Sequence, residues 1–318
     1  MSAQIIHDDK SNIVSCLEKI KNGNIDGIFI LDDNLNILPL IPNEFVDLIY
    51  IDPPFNTGKT QKKSTIKCEI LDTENKNGEE HKHYRTGFGG KFYEYYIEDE
   101  KAYSDSFGEG YLDFLYERIV HAHRILKNTG VFYFHIDYRE AHYCKVFVLD
   151  KIFGRENFLN EIIWAYDYGG RPKKKWPAKH DNIFMYCKDN GKYYFDIEQS
   201  DRIPYLAPGL VTEEKRLSGK LPTDVWWHTI VPTNSKEKAN YPTQKPLGII
   251  NRIIKTSSPE NGLVLDFFAG SGTTGVSSLM NNRRFILIDK NYDAMITFKQ
   301  RLDKIKSTLT DKKIIMIG

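Results

Sequence analysis

The sequence predicts an α/β fold with a doubly wound, mostly parallel sheet, because short apolar runs alternate with helix-length amphipathic segments. Two further observations favour this class. Aspartates stand at or just after the ends of several apolar runs, and one run leads through a glycine-rich turn into a helix-like segment. The predicted strands are Leu48 to Ile51, Val131 to Ile136, Asn182 to Cys187, Leu263 to Asp266 and Phe285 to Ile288.

The first of these strands ends in an unusual turn, Asp52-Pro53-Pro54-Phe55. Two consecutive prolines lack backbone donors, so the turn offers carbonyl oxygens as acceptors, and Asp52 adds a further acceptor. Phe55 offers an aromatic face for stacking. The turn therefore predicts a pocket for a flat base that carries an amino group.

A second motif follows the strand that ends near Asp266. Here the run Phe267-Phe268-Ala269-Gly270-Ser271-Gly272-Thr273-Thr274 leads into a helix-like segment, and Asp289 ends the next strand. Glycine lets the backbone approach a ligand closely, the start of a helix presents free amides, and a carboxylate after the neighbouring strand can accept from both hydroxyls of a ribose. This pattern predicts a nucleoside-cofactor site. Because ligands bind at the carboxyl ends of parallel strands, one cleft can hold the base and the cofactor together.

Together the two motifs resemble those of the amino-group DNA methyltransferases, and their order, catalytic motif first, resembles the β group. The resemblance covers nearly the whole chain and implies a methyltransferase fold that uses S-adenosylmethionine. It implies transfer of a methyl group to the N6 amine of adenine in duplex DNA, by base flipping and direct in-line attack. It assigns catalysis to Asp52, Pro53, Pro54 and Phe55.

Weaker landmarks extend the resemblance. Asp33-Asn34-Leu35 resembles a Gly-Asp-x-Leu segment in which Asp32 replaces the glycine, and Thr243-Gln244-Lys245-Pro246 resembles a segment that contacts the methionine end of the cofactor. The resemblance thus assigns cofactor binding to Asp33, Thr243, Gln244, Lys245, Asp266, Phe268, Ala269, Gly270, Ser271, Gly272, Thr273, Thr274 and Asp289.

The densest basic run spans residues 171–180, and a second basic stretch starts at Lys59, just after the catalytic turn. A protein that grips DNA phosphates needs a local basic surface whatever its net charge. The candidate DNA contacts are Lys59, Arg171, Lys173, Lys174, Lys175, Trp176 and His180. The alternative for the two basic runs is an ordinary solvated surface.

The motif order divides the chain into three parts. Residues 1–187 are predicted to form the catalytic half of the methyltransferase domain, and residues 241–318 the cofactor-binding half. Residues 188–240 correspond to the region that recognises the DNA sequence in the family. Residues 59–106 show little periodicity and are expected to form a long mobile loop that closes over DNA, although a passive insertion remains an alternative.

Composition narrows the remaining possibilities. The 318 residues carry a formal charge of +1 and are 41% hydrophobic, enough for a sizeable core. No apolar run reaches the roughly 20 residues of a membrane span, and the N-terminus lacks a signal-like pattern, so a cytoplasmic protein is expected. Four scattered cysteines suggest neither disulfides nor zinc. The histidines have no recognisable metal-ligand spacing, so no metal is expected.

Other functions remain open at this stage. N4 methylation of cytosine is an alternative, although relatives acting on cytosine more often carry serine in place of Asp52. The segment Gly270 to Gly275 also fits the Gly-x-Gly-x-x-Gly pattern of a nicotinamide dehydrogenase, but that would leave the Asp52 turn unexplained. A non-catalytic DNA-binding subunit is a third alternative. The expected partners are double-stranded DNA, a second copy of the chain and a cognate restriction endonuclease, with no membrane.

Overall fold

A computed structural model describes residues 4–57, 59–70, 83–86, 92–105, 107–239, 241–305, 309 and 311–318. The strands are β1 (Gln4–Asp8), β2 (Gly27–Leu31), β3 (Val46–Ile51), β4 (Lys59–Ile70), β5 (His83–Thr86), β6 (Phe92–Asp105), β7 (Leu126–Asp137), β8 (Phe158–Ala165), β9 (His180–Cys187), β10 (Val225–Trp227), β11 (Leu263–Asp266), β12 (Arg284–Asp289) and β13 (Lys313–Ile317). The α-helices are α1 (Ile13–Lys21), α2 (Asn34–Ile37), α3 (Tyr111–Ile125), α4 (Ala141–Cys144), α5 (Asp150–Phe153), α6 (Glu213–Ser218), α7 (Leu247–Ser257), α8 (Thr273–Met280) and α9 (Tyr292–Ile305); a π-helical turn, Lys145–Leu149, joins α4 to α5.

Ten strands of the described chain form one sheet in the order β1-β13-β2-β12-β11-β3-β7-β9-β8-β10. All neighbours from β1 to β7 are parallel, β9 runs antiparallel to both β7 and β8, and β10 is parallel to β8. The predicted α/β class and its mostly parallel sheet are confirmed. Each of the five predicted strands falls within an observed one.

Both faces of the central strands are buried, as the continuous apolar runs require of parallel strands covered by helices. On β12 the alternation is clear: Phe285 and Leu287 belong to one core cluster, and Ile286 and Ile288 to another. On β11, Val264 and Leu265 likewise face different clusters. The central part of the sheet therefore lies between two hydrophobic layers.

The order of the sheet reverses between β3 and β11. From β3 the chain adds β7 and then β9 on one side, whereas β12 lies beside β11 on the other side. The two central strands pair in parallel, with Leu48 opposite Val264 and Ile49 opposite Leu265. Crevices for ligands open at such a reversal, outside the carboxyl ends of the strands. Both sequence motifs start at this point.

The expectation for residues 59–106 needs correction. Where this segment is described it is not an irregular loop: β4 and β5 both pair with β6, in a separate antiparallel sheet of order β4-β6-β5. The pairing of β4 begins with Lys59 opposite Asp105, so the segment leaves and returns at one place. Mobility was also predicted for residues 71–82 and 87–91, and these lie outside the described residues.

The region from 188 to 239 is largely irregular, but it also contributes a strand to the main sheet. In β10, Trp226 lies opposite Trp164 of β8. Trp226 is buried, whereas Trp227 is exposed. Among the described residues, no helix combines the length and apolar character needed to cross a membrane.

Candidate active site

Two cavities meet at the carboxyl ends of β3 and β11. The first has a volume of about 310 Å³, and the second of about 900 Å³. Thr243 and Lys245 line both. The predicted cofactor residues that line the first cavity are Asp33, Thr243, Lys245, Asp266, Phe268, Ala269, Gly270, Ser271, Thr273, Thr274 and Asp289, joined by Asp52 and Pro54 of the catalytic turn. The motifs predicted to form one cleft therefore do so.

Asp52 lies one residue beyond the end of β3 and lines the first cavity. Its Oδ2 atom forms a salt bridge with Nζ of Lys245, and only 17% of its side chain is exposed. Its Oδ1 atom is buried and has no hydrogen-bond partner among the described residues. A buried oxygen of this kind is costly unless a ligand supplies a donor. Asp52 therefore has one carboxylate oxygen left for a ligand.

Phe55 lies on the other side of the turn and lines the second cavity. Its ring packs against the imidazole of His135, with 6.0 Å between the ring centroids and a tilt of 32°. Nζ of Lys245 lies 5.0 Å from the centroid of Phe55. The ring is thus partly buried and held at the boundary between the two cavities, the place where a stacking surface would be needed.

A buried hydrogen-bond network holds His135, the residue that packs against Phe55. The sequence analysis did not predict this network. The hydroxyl of Tyr50 and Nδ1 of His135 are 2.8 Å apart, and Nε2 of His135 is 3.1 Å from Oδ2 of Asp181. The hydroxyl of Tyr166 donates to Oδ1 of Asp181 over 2.9 Å. Burial by itself raises the pKa of Asp181, but the hydrogen bonds and the nearby charges of His135 and Lys245 outweigh it and hold that pKa below the ordinary value. Asp181 is therefore an ionised anchor for the imidazole.

The two prolines occupy different positions. Pro53 is buried, whereas Pro54 lines the first cavity. The carbonyl oxygen of Pro54 accepts a hydrogen bond of 2.5 Å from the hydroxyl of Tyr111, the first residue of α3. Because this contact joins the turn to α3, it fixes the turn in place. No sequence signal marked Tyr111 as its partner.

The glycine-rich turn takes its shape from Gly272, which caps α8 in a left-handed conformation with φ of +71°. A Cβ atom there would lie 2.2 Å from the ring of Phe298, so no larger residue fits without repacking. Gly270 is also left-handed, and its N–H donates to Oδ2 of Asp289 over 2.8 Å. This hydrogen bond ties the turn to the end of β12.

Asp266 is a fully buried carboxyl group of the first cavity. Burial raises its pKa to about 7, and the charges of Asp52 and Asp289 add to that rise. A hydrogen bond of 2.6 Å from the hydroxyl of Thr274 acts in the opposite direction. Burial also raises the pKa of Asp289. Buried carboxyl groups with raised pKa values favour a ligand that brings positive charge or hydroxyl donors.

The chemistry of the first cavity suits a cationic nucleoside. Asp266 and Asp289 provide acceptors, Phe268 provides an apolar aromatic surface, and the glycine-rich turn permits close approach of its backbone. Asp33 lines the cavity and also has a structural role: its side chain caps α2, and its Oδ1 atom lies 3.3 Å from Nη2 of Arg118. These residues fit a ligand with an amino acid at one end and a ribose with an attached base at the other.

Arg118 and Asn34 are further lining residues that the sequence analysis did not assign. Nε of Arg118 donates to Oδ1 of Asn34 over 2.7 Å, and Nδ2 of Asn34 donates to the carbonyl of Phe267 over 2.8 Å. The guanidinium lies 3.8 Å from the centroid of Phe114. Arg118 stands within an amphipathic helix with no motif around it, so only its burial in the folded chain reveals it.

Two predicted cofactor residues lie elsewhere. Gln244 lines the second cavity, where its side chain accepts from the N–H of Ala239 over 2.8 Å and donates to the carbonyl of Glu237 over 2.9 Å. These bonds give Gln244 a structural role in the segment before α7. Gly272 does not line the first cavity; its left-handed backbone caps α8 and sets the shape of the turn.

The predicted DNA contacts are distributed around the second cavity. Lys175 and His180 line it, and Trp176 is 94% exposed on the segment between β8 and β9. Lys173 and Lys174 are exposed on the same segment. Arg171 lies 3.4 Å from Asp167 in an exposed ion pair. Lys59 begins β4, and its side chain lies outside the described residues.

The fold and the first cavity define an α/β protein with a site suited to a nucleoside cofactor, and comparison with known proteins gives its family. The chain belongs to the DNA methylase family, whose model matches residues 46–300. It is 30% identical over 302 residues to the DNA adenine methyltransferase YhdJ of Escherichia coli, covering 90% of this chain and 86% of that one. It is 27% identical to the type II methyltransferase M.HpaI of Haemophilus parainfluenzae, covering 88% and 75%. The predicted family resemblance is confirmed, and the dehydrogenase alternative is ruled out.

Solved structures show the same fold. The PvuII DNA methyltransferase (cytosine-N4-specific) aligns with a TM-score of 0.56 at 14% identity, covering 92% of this chain and 95% of that one. A putative DNA modification methylase of Thermus thermophilus, in complex with S-adenosyl-L-methionine, aligns with a TM-score of 0.55 at 19% identity, covering 92% and 98%. At these identities the likeness establishes the methyltransferase fold.

Proposed function

We propose that this protein is a site-specific DNA methyltransferase that uses S-adenosylmethionine to methylate the N6 amine of adenine in duplex DNA. The first cavity binds the methyl donor, and the second admits the target base after it leaves the helix. The observation that carries the proposal is Asp52, with one unpartnered buried oxygen, among the described residues, at the junction of the cavities. Phe55 lies beside it on the base side.

The residues of the catalytic turn act on a weak nucleophile. The lone pair of an adenine amine is delocalised into the ring, so the nitrogen must become pyramidal before it can attack. Acceptance of its hydrogens by Asp52 and by the carbonyl of Pro53 favours that geometry. Stacking on Phe55 contributes roughly 1 to 3 kcal/mol, which helps offset the few kcal/mol needed to unstack the base.

The proposed cofactor fits the acceptors of the first cavity. When bound, S-adenosylmethionine supplies a methyl group already activated by the positive charge of the sulfonium. Asp266 would hold that end of the ligand as a buried polar partner, and Asp289 would accept from the ribose hydroxyls. Phe268 packs against the adenine ring. The chain's own task is then to align the amine and to exclude water from the junction.

Adenine is proposed as the target base on two grounds. Aspartate stands at position 52, where relatives that act on cytosine more often have serine, and YhdJ is named a DNA adenine methyltransferase. The PvuII enzyme is named cytosine-N4-specific, but its fold alone is similar. N4 methylation of cytosine is therefore the alternative that the test must separate.

Three parts of the chain are proposed to bind DNA. Residues 171–180 lie at the rim of the second cavity and grip the phosphate backbone, and residues 188–240 recognise the sequence. The inserted strands β4, β5 and β6 are proposed to close over the bound DNA, because β4 and β6 pair beside the catalytic turn. Base-edge contacts from these parts determine the methylated site.

The test is product analysis. Purified protein is incubated with labelled S-adenosylmethionine and mixed-sequence duplex DNA, and the nucleosides are separated by mass spectrometry. N6-methyladenine supports the proposal. N4-methylcytosine overturns the assignment of the base, and cofactor binding with no methylated product on DNA that contains every short sequence overturns the proposal of catalysis by this chain alone.

We further propose that the enzyme acts as a homodimer in the cytoplasm, where its DNA substrate is found, within a restriction-modification system that includes a cognate endonuclease. The support is family likeness: the type II methyltransferase M.HpaI is among the relatives. Sedimentation of the DNA complex at micromolar concentration checks the assembly. A complex with one protein chain per duplex would contradict the dimer.

A further inference from the structure

We propose that Lys245 occupies the place of the target amine in the free enzyme and is displaced when the base enters. This inference rests on the proposed function, because it concerns the same base site. The resemblance of Thr243-Gln244-Lys245-Pro246 to a family segment assigns Lys245 to the cofactor. The contacts of its ammonium group point instead to Asp52 and Phe55, the two residues to which the base is proposed to bind.

The ammonium group of Lys245 contacts both residues proposed to bind the target base. Nζ of Lys245 contacts Oδ2 of Asp52, and it lies 5.0 Å from the centroid of the Phe55 ring. The side chain is only 9% exposed, and the residue lines both cavities. An ammonium donates N–H groups to a carboxylate as an exocyclic amine does, and its charge is attracted to an aromatic face. Lys245 therefore reproduces both interactions proposed for the target base.

These interactions make the lysine and the base mutually exclusive. A base that stacks on Phe55 needs the space in which the ammonium lies, because a cation within about 6 Å of a ring centroid occupies the region over its face. An amine that binds Oδ1 of Asp52, the oxygen free of protein partners within the described residues, would also lie beside the ammonium that pairs with Oδ2. Entry of the base therefore requires the lysine side chain to leave.

The backbone of Lys245 is fixed, so the required movement is confined to the side chain. Its carbonyl accepts a hydrogen bond of 3.2 Å from the hydroxyl of Thr273, at the start of α8. That hydroxyl also accepts a bond of 2.8 Å from Nη1 of Arg301 on α9. Pro246 follows and restricts the backbone directly before α7. Rotation of a four-carbon side chain is a small rearrangement compared with movement of this bonded segment.

The consequence is a selective base site. DNA binding must offset the loss of the Lys245 to Asp52 ion pair before a base can be held, so a base that makes few other contacts is not retained. Removal of the ammonium should therefore favour the extrahelical base. This expectation is the opposite of that for a cofactor ligand, whose removal weakens cofactor binding and leaves base binding unchanged.

The experiment follows the base directly. The methylated position is first located in DNA modified by the wild-type enzyme, and 2-aminopurine then replaces that base in a synthetic duplex. Its fluorescence rises when it leaves the stack. In the presence of S-adenosylhomocysteine, Lys245→Ala should raise the fraction of extrahelical base by about tenfold, the effect expected from removal of a charged hydrogen bond and a cation–π contact. Lys245→Arg keeps the cation and should give no increase.

The matched control is Lys238→Ala. Lys238 also lines the second cavity, but its Nζ lies 3.4 Å from the carbonyl of Val231. Loss of its charge should not raise the fluorescence. A similar increase in this variant would show a general effect of charge and overturn the proposal. If Lys245→Ala fails to fold, Lys245→Met, which retains the length without the charge, takes its place.

Calorimetry of cofactor binding completes the test. Unchanged fluorescence in Lys245→Ala, together with a loss of S-adenosylmethionine affinity, would overturn the inference and restore the role assigned from the sequence. The proposed function is judged separately, from the methylated nucleoside that the wild type produces. If that nucleoside is N4-methylcytosine, a fluorescent cytosine analogue replaces 2-aminopurine, and the inference about Lys245 is tested at the same position.

Discussion

At the scale of single residues, the carboxylate of Asp52 is the central group of the proposed catalytic site. The apolar strand β3 delivers its carboxylate to the sheet edge, where one oxygen is paired and the other has no partner among the described residues. In the proposed mechanism this acceptor acts while the amine nitrogen attacks, so it should contribute mainly to turnover. Its contribution to binding of the cofactor should be small, since the other carboxyl groups of the first cavity are proposed to bind that ligand.

We predict that Asp52→Asn lowers turnover by about 100-fold or more, because it replaces a charged acceptor with an amide at the reacting group. Affinity for S-adenosylmethionine should be retained. Single-turnover kinetics and calorimetry measure the two quantities. Near wild-type turnover in this variant would exclude Asp52 as the acceptor of the target amine.

Asp266 predicts a dependence of stability on pH. The ordinary pKa of its carboxyl group is 3.8, and in the folded protein the pKa is about 7, chiefly because of burial. The folded state therefore binds the proton more tightly, and the stability gained from that proton is full below pH 3.8. It is lost as the pH rises to about 7, by up to roughly 4 kcal/mol. The amide of Asp266→Asn does not ionise, so the variant avoids this loss. The free energy of unfolding of the variant relative to the wild type should therefore be more favourable at about pH 8 than at about pH 5.

Urea unfolding at the two pH values measures this difference. Asp201→Asn is the matched control, because the hydrogen bond and charge of Arg252 lower the pKa of Asp201 and its stabilising charge is lost only as the pH falls below the ordinary carboxyl range. The effect of that substitution should be the same at both pH values. An equal effect of Asp266→Asn at both values would contradict the raised pKa.

At the scale of secondary-structure elements, Asn56 joins the two ends of the inserted strands. It has a left-handed backbone with φ of +55°. Its Oδ1 atom accepts from the N–H groups of Phe107 and Gly108 over 3.0 and 3.1 Å, and its Nδ2 donates to Oε1 of Glu140 over 3.0 Å. One side chain thus connects the catalytic turn, the end of the insertion and the residue before α4. Local patterns contain no sign of this link, since its partners are more than fifty positions away.

We predict that Asn56→Gly loosens this junction. Glycine accepts the left-handed backbone, so the change isolates the lost hydrogen bonds, whose removal should cost about 1 to 3 kcal/mol. Hydrogen exchange at the amides of Phe107 and Gly108 should become faster, and kcat/KM for DNA should fall. Asn282→Gly, at another left-handed asparagine with φ of +55°, is the control. Unchanged exchange at both amides would contradict the proposed link.

At the scale of the whole molecule, the formal charge of +1 conceals an uneven distribution. The basic segment between β8 and β9 is exposed at the rim of the second cavity, with Lys175 on the cavity wall and Trp176 turned outward. A local basic surface beside a base-sized opening is suited to duplex DNA. The charge of this surface, rather than the net charge, should control binding.

We predict that joint replacement of Lys173, Lys174 and Lys175 by alanine weakens DNA binding and makes it less dependent on salt. Each lost phosphate contact lowers the slope of log K against log salt by about 0.9, so the total change should approach about 3. Fluorescence anisotropy at several salt concentrations measures the slope. The control is a variant in which three other exposed lysines, Lys19, Lys21 and Lys304, are replaced by alanine. Its salt slope should equal that of the wild type. Equal slopes in the two triple variants would contradict the assignment of residues 171–180 as the DNA-binding surface.

The central strands and the two motifs at their ends could be predicted from local sequence. Apolar runs such as Val46–Ile51 and Leu263–Asp266 are largely buried, so local composition is enough to reveal them. The Asp52 turn and the glycine-rich turn are also local, because their special residues are adjacent in the chain. Since the carboxyl ends of parallel strands meet at one edge, their convergence could be predicted as well.

Contacts across the fold could be read only from the folded chain. The strand pairing of Lys59 with Asp105 depends on distant backbone partners rather than on local periodicity, so the prediction of an irregular insertion was wrong for its described strands. The ion pair of Asp52 with Lys245 and the bond of His135 to Asp181 likewise join residues far apart in sequence. Each depends on distances set by packing of the sheet and its helices, because short-range attraction between side chains acts only after folding has placed them together.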